Sequence, residues 1–272
     1  MGDQHRARIW PLPQWLDWQR LLGPGDWVES KQPNGDLEVE AQLSRGAAAE
    51  LLARLRGVGI GGARLESEVS PALARLDVRR ARTDEARRYR QGSPGFTHPA
   101  VRLDDEAKRS LTPEALALQL GQRAQGLRVI DACCGAGGNA IGFARAGCQV
   151  TAIEREPERL AMAQHNAALY GVRERIQFIC GDACESVPQL QAELLFIDPP
   201  WGDRYDKTRV TLADLPPCEK LIELARHVPR VWLKAPASFA PQTLPGSHVE
   251  ALFGVGEGDN RRVKFLLLEL IR

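Results

Sequence analysis

From residue 126 onward the chain alternates short apolar runs with segments of helical period, and that alternation leaves few folds open. The apolar run 127–130 is followed by a helical stretch at 140–146, and the run 150–153 by one at 158–170. Runs at 176–179 and 194–197 come next, and a helical stretch at 221–228 precedes the run 231–233. Short runs with no polar alternation are strands buried on both faces, and strands separated by helices pair in parallel, because the crossover returns the chain to the same end of the sheet. The last two runs, 249–253 and 263–271, are joined by a glycine-rich turn at 254–260 and read as an antiparallel edge. The expected fold class is α/β: a doubly wound, seven-stranded, mostly parallel sheet with an antiparallel C-terminal edge over residues 126–272.

The first 85 residues have a different character and read as a small α+β accessory domain. Trp10, Trp15, Trp18 and Trp27 crowd its start, strand alternation occupies 37–41 and 63–69, and a helical period covers 47–55. Four tryptophans so placed suit a core or an interface better than base platforms. Gly57, Gly59, Gly61 and Gly62 follow that helix and mark a flexible turn, since a phosphate loop would precede a helix. Residues 86–125 form a basic connector and a helical lead-in. The basic concentration begins at Arg75 and includes Arg79, Arg80, Arg82, Arg87, Arg88 and Arg90. With a net charge of only +1, any surface for an anionic polymer has to be local, as that run is. At 272 residues and 43% hydrophobic content the chain can bury one large core and a satellite. It shows neither a bilayer-spanning run nor an apolar secretion signal, so a cytoplasmic protein without membrane contact is expected, with a monomer favoured. The six cysteines lack paired C-x2-C spacing, which suits reduced thiols and no metal site.

Two stretches carry chemistry. The first, Asp131-Ala132-Cys133-Cys134-Gly135-Ala136-Gly137-Gly138-Asn139, lies between the first strand of the sheet and its first helix, where glycines let a ligand approach the backbone. Glu154 ends the second strand, where a carboxylate can hold both hydroxyls of a ribose, and Asp182 follows the third, beside a possible purine. The loop departs from G-x-G-x-x-G, and Asp131 would repel a pyrophosphate but suits an ammonium or another cation. S-adenosylmethionine offers adenosine, a sulfonium and an ammonium together. The second stretch, Asp198-Pro199-Pro200-Trp201, ends the fourth strand: an extended backbone, one carboxylate and one flat ring, a set that accepts the N–H bonds of a planar amine and covers its face. The first and fourth strands flank the point where the winding reverses, so the two stretches should share one crevice.

The loop, the strand-end acids and Asp-Pro-Pro-Trp together resemble a class I S-adenosylmethionine-dependent methyltransferase that acts on an exocyclic amine. More narrowly, residues 87–272 are similar to the trimethylguanosine synthase family of RNA cap guanine-N2 methyltransferases. The resemblance runs through Arg87-Arg88-Tyr89-Arg90, Leu103-Asp104, Ser110 to Glu114, Asp131 to Asn139, Asn166 to Gly171, Pro199 to Gly202 and the ending from Asn260. It implies a cofactor site made by Thr112, Asp131, Cys133, Gly135, Gly137, Asn139, Glu154, Asp182 and Asp198, and a base clamp made by Asp198, Pro199 and Trp201. Thr112-Pro113-Glu114 by itself is an equally good helix start, with a cap residue and proline at the first position. The partner implied is RNA presenting an unpaired or flipped purine, with Arg87, Arg88, Arg90, Arg261, Arg262 and Lys264 as candidate phosphate contacts. The family usually has serine where this chain has Asp198, and aspartate is commoner in adenine-N6 and unmodified guanine-N2 enzymes. Guanine N2 is thus the first expectation and adenine N6, on RNA or DNA, the alternative. A non-catalytic RNA-binding subunit with this fold, and a glutamine-directed protein methyltransferase, which typically has asparagine at that position, are the other readings.

Overall fold

The computed structural model describes residues 4–202 and 205–272. The N-terminal region contains β1 (Gln4–Leu12), α1 (Trp18–Leu22), β2 (Val28–Lys31), β3 (Leu37–Ser44), α2 (Arg45–Leu55), the hairpin β4 (Gly59–Ile60) and β5 (Ala63–Arg64), and β6 (Glu66–Ser70). Four of these strands form an antiparallel sheet in the order β2-β3-β1-β6. Alternation decides its faces: Ala7, Ile9, Val39, Ala41 and Leu43 are buried with Leu51 and Leu55 of α2. The outer face pairs Arg6 with Glu40, and Arg8 with Glu38 and Glu68, across the strands. The inner strand β1 carries an Arg-Ala-Arg-Ile alternation, a strand signal that Pro11, Pro13 and the tryptophans around it mask.

A long helix, α3 (Arg75–Tyr89), follows and runs without a break through residues 85 and 86. Then come α4 (Asp105–Ser110), α5 (Glu114–Arg123), β7 (Arg128–Asp131), α6 (Gly138–Arg145), β8 (Gln149–Glu154), α7 (Pro157–Leu169), β9 (Ile176–Cys180), α8 (Ala183–Ser186), β10 (Leu194–Ile197), α9 (Cys218–Leu224), β11 (Arg230–Ala235), β12 (His248–Phe253) and β13 (Val263–Ile271). The second sheet has seven strands in the order β12-β13-β11-β10-β7-β8-β9, and only β13 runs against its neighbours. This is the doubly wound sheet expected from the sequence, with the winding reversed between β7 and β10. The strands send alternate side chains to two cores. Val129, Phe196 and Trp232 meet α5, α6 and α7, while Ile130, Leu195, Ile197 and Val231 meet α8 and α9. No helix among the described residues is long and apolar enough to cross a membrane.

The two regions are packed together. Gly61 and Gly62, both left-handed, turn the β4–β5 hairpin so that the Gly61 N–H donates to the Ala237 carbonyl at 2.9 Å. These glycines therefore serve a docked hairpin, not the flexible turn expected from composition: a Cβ on Gly59 would stand 2.4 Å from the Lys207 carbonyl oxygen. Arg20 donates to the carbonyls of Gly254 and Asn260, and Trp15 packs against both the N-terminal core and the α9 side of the sheet.

Helices α5 and α6 cross where Gly121 and Gly142 face each other, so closely that a Cβ on Gly142 would lie 2.5 Å from the Ala117 backbone. Because α6 begins at the glycine loop, this contact fixes the loop's support. Gly142→Ala should destabilise the protein by about 1–3 kcal/mol through overpacking, read from the urea unfolding midpoint; an unchanged midpoint would contradict the close crossing.

Candidate active site

The loop after β7 is stitched to its neighbours by backbone bonds: Ala132 N–H to the Phe196 carbonyl, Cys134 N–H to the Ile153 carbonyl and Gly137 N–H to the Cys134 carbonyl, at 2.8 to 3.0 Å. Gly135 and Gly137 both have positive φ, and a Cβ on Gly135 would meet nothing within 4 Å, so the chain here borders open space. Glu154 braces the loop, with Oε2 accepting from Gly135 N–H at 2.9 Å and Oε1 from Glu156 N–H at 3.0 Å. Asp182 is exposed and caps α8 through the Cys184 N–H.

Asp131 and Asp198 end the adjacent parallel strands β7 and β10, as expected from the winding. Their surroundings differ. Oδ2 of Asp198 accepts from Lys234 Nζ at 2.7 Å and from Asn139 Nδ2 at 2.8 Å. Asp131 is fully buried, and neither of its oxygens has a hydrogen-bond partner. Burial, and next the negative charge of Asp198, push its carboxyl up to about 8. Burial, reinforced by Asp131, likewise pushes the Cys133 and Cys134 thiols well above their ordinary range, so neither is set up as a nucleophile. Trp201 is partly buried, edge-on to Tyr205 with ring centroids 5.8 Å apart, and the Lys234 ammonium lies 5.2 Å from its ring centroid.

The lead-in segment closes over the loop. Asn166, fully buried on α7, joins the backbone of Arg102 to the Ala136 carbonyl, and a Cβ on Gly138 would touch the Leu111 side chain at 2.6 Å. Glu114 anchors the same segment. Burial alone would raise its carboxyl, but bonds from Tyr170, Thr97 and Arg145 outweigh it and pull it down to about 2. Thr112 does not cap α5, contrary to the helix-start reading: Pro113 holds the cap position, and the buried Thr112 hydroxyl has no partner.

Five of the seven buried, unpartnered side-chain N and O atoms among the described residues belong to this crevice: Thr112 Oγ1, both Asp131 oxygens, Asn139 Oδ1 and Trp201 Nε1. Buried polar atoms are normally paired, so such a cluster marks a place built for a polar ligand. Its donor set, acids and a hydroxyl beside an open glycine turn, fits S-adenosylmethionine, whose ammonium suits Asp131 and whose ribose suits Glu154.

Residues 127–218 match the family model for RNA cap guanine-N2 methyltransferases. Over that span the resemblance to this family holds. Trimethylguanosine synthase of Schizosaccharomyces pombe is 39% identical over 127 residues, 42% of this chain and 53% of that protein. The Saccharomyces cerevisiae trimethylguanosine synthase is 29% identical, covering 38% and 36%. Ribosomal RNA small subunit methyltransferase J of Rhodopseudomonas palustris is 42% identical over 86 residues, 29% of this chain and 39% of that protein. The chain thus spans about half or less of the curated relatives it matches. Among solved structures, an S-adenosylmethionine-dependent methyltransferase from Agrobacterium tumefaciens overlays with a TM-score of 0.44 at 18% identity, covering 59% of this chain and 62% of that one.

The basic residues separate into two groups. Arg88 pairs with Glu50, Arg262 with Glu85 and Lys264 with Asp259, and the last two cations also lie against Tyr89, so these three tie α3 to α2 and to the β12–β13 turn. Arg79, Arg82, Arg87 and Arg90 instead share one exposed face of α3, where Arg87 has only a 3.7 Å pairing with Asp84. Arg261 lies against Gly23. The residue that sequence reasoning missed is Lys234. It stands one position after the apolar run 231–233, and a lysine inside a buried strand was itself a signal that an acid waits opposite.

Because folding raises the Asp131 carboxyl from about 4 to about 8, the native state keeps a proton that the unfolded chain releases, and native stability falls as pH rises across that window. Asp131→Asn should remove this fall, so the variant gains melting temperature over the wild type between pH 5 and 8.5; parallel melting curves across that range would contradict the assignment.

Proposed function

We propose that this chain is an S-adenosylmethionine-dependent methyltransferase acting on an exocyclic purine amine of RNA, with guanine N2 as the target and adenine N6 as the second reading. The observation that carries it is the meeting of Asp198-Pro199-Pro200-Trp201 with the crevice of unpartnered polar atoms at the ends of β7 and β10. The family match over residues 127–218 and the likeness to trimethylguanosine synthase and a ribosomal RNA methyltransferase favour RNA and guanine N2. Asp198, in place of the family's usual serine, keeps adenine N6 as the second reading.

S-adenosylmethionine, when bound, supplies an electrophilic methyl group. Thr112, Asp131, Cys133, Gly135, Gly137 and Asn139 would line its amino-acid side, while Glu154 and Asp182 would hold the ribose and adenine. The base would lie on Trp201, its amine giving one N–H to Asp198 Oδ1 and the other to the Pro199 carbonyl. Those bonds would draw the two N–H groups out of the ring plane as the new bond forms, so that the lone pair localises on a pyramidal nitrogen aimed at the methyl group, and this positioning would supply most of the acceleration. Asp198 is held in an ion pair, so it acts as an acceptor of the N–H bond rather than as a strong base, and the amine proton leaves to solvent after transfer. The exposed Arg79, Arg82, Arg87 and Arg90 face of α3 is the proposed path of the RNA backbone.

Trp201→Ala should lower turnover about a hundredfold or more while the affinity for S-adenosylmethionine, measured by calorimetry, stays within about threefold; near-normal turnover would sink the clamp. Asp198→Asn should do the same and is preferable to alanine, which strands the Lys234 charge. Incubation with labelled cofactor and total RNA, followed by nucleoside analysis, should yield N2-methylguanosine. N6-methyladenosine would move the assignment to the second reading, and unlabelled RNA would contradict both. Reversing Arg87 and Arg90 to glutamate should flatten the salt dependence of RNA binding by about one logarithmic unit per lost phosphate contact; an unchanged slope would remove α3 from the RNA path.

A further inference from the structure

The charge state of the clamp bears on which base it accepts. In isolation, an Asp-Pro-Pro-Trp clamp presents a carboxylate and the electron-rich face of an indole, both of which attract a cation. Here neither is available in that form. Lys234 is 3% exposed, and its ammonium donates to Asp198 Oδ2 at 2.7 Å. Asn139 Nδ2 gives that same oxygen a second bond. The carboxylate therefore reaches the crevice as half of a neutral pair. The same ammonium stands 5.2 Å from the Trp201 ring centroid, so the indole π-system already serves a positive charge.

Purines differ in this respect. Guanine and adenine are neutral, whereas 7-methylguanine, the base of a methylated RNA cap, is a cation. We propose that Lys234 is a positioning residue that sets specificity, making the site select a neutral purine amine over a cationic 7-methylguanine. This rests on the purine-amine reading above. Lys234 acts through Asp198 and Trp201: it fixes Oδ2, leaves Oδ1 to the incoming amine, and cancels the charge and ring potential that a cationic base would need. A lysine is costly to bury without a function that its charge performs, since an apolar residue of similar length would pack there at less cost.

The test is competitive binding of guanosine 5′-monophosphate and 7-methylguanosine 5′-monophosphate to the full chain in the presence of S-adenosylhomocysteine. The unmethylated nucleotide should bind at least about tenfold more tightly, a cation–π and charge contribution of ordinary size. Lys234→Met, which leaves the Asp198 charge unbalanced, should shift the ratio of the two affinities toward the methylated nucleotide by about tenfold or more. Adding Asp198→Asn should shift it back. A lysine with only a structural role would weaken both nucleotides alike and leave the ratio unmoved. Equal or tighter binding of the 7-methyl nucleotide to the wild type overturns the inference and leaves the purine site intact. Binding of neither nucleotide overturns the purine-site reading, and the inference falls with it.

Discussion

Two carboxylates and one ammonium share the buried end of a parallel sheet, and most of what this site can do follows from how those charges are settled. Water cannot solvate them, so each must find a partner, lose its charge or await a ligand. Asp198 finds Lys234. Asp131 finds nothing among the described residues and keeps its proton to about pH 8. The ion pair holds Asp198 Oδ2, and a cationic group beside Asp131 would stabilise its charged form. On the function proposed above, Asp198 serves geometry and Asp131 affinity.

The fold exists to bring these groups together and hold them there. Parallel winding places the ends of β7 and β10 side by side, and the glycine crossing of α5 on α6 lets the loop after β7 turn tightly against the sheet. The lead-in segment is then sewn over the loop by Asn166 and Glu114, which spend nearly all of their hydrogen-bonding capacity on it. The N-terminal region is built onto the segments that follow β11 and β12, through Gly61 and Arg20, and sends α3 back with its arginine face outward. Three of the candidate phosphate contacts, Arg88, Arg262 and Lys264, also pair with acids of the chain itself. Charge in a sequence does not reveal whether an acid from a distant segment has claimed it.

What was legible in the chain was what short-range pattern controls. The apolar runs gave the strands, their separation by helices gave parallel pairing, and the acids at their carboxyl ends gave the crevice, because strand ends at a winding reversal are fixed by topology. What escaped depended on the third dimension. Lys234 lies one residue past the apolar run 231–233, and its acid partner stands on the neighbouring strand end, which only the pairing of β11 with β10 brings beside it. Thr112 read as a cap because Thr-Pro-Glu is a helix start, yet the helix begins after Pro113 and leaves the hydroxyl aimed elsewhere. The protonation of Asp131 required knowing that it is fully buried, which no local pattern states.

Crystallography of the chain with S-adenosylhomocysteine and guanosine monophosphate decides whether the ends of β7 and β10 form one methyl-transfer crevice. The ammonium of the cofactor product should lie at Asp131, its ribose at Glu154, and the guanine on Trp201 with its exocyclic amine within hydrogen-bond distance of Asp198 Oδ1. A nucleotide seated away from Trp201, or an amine turned away from Asp198, would contradict it.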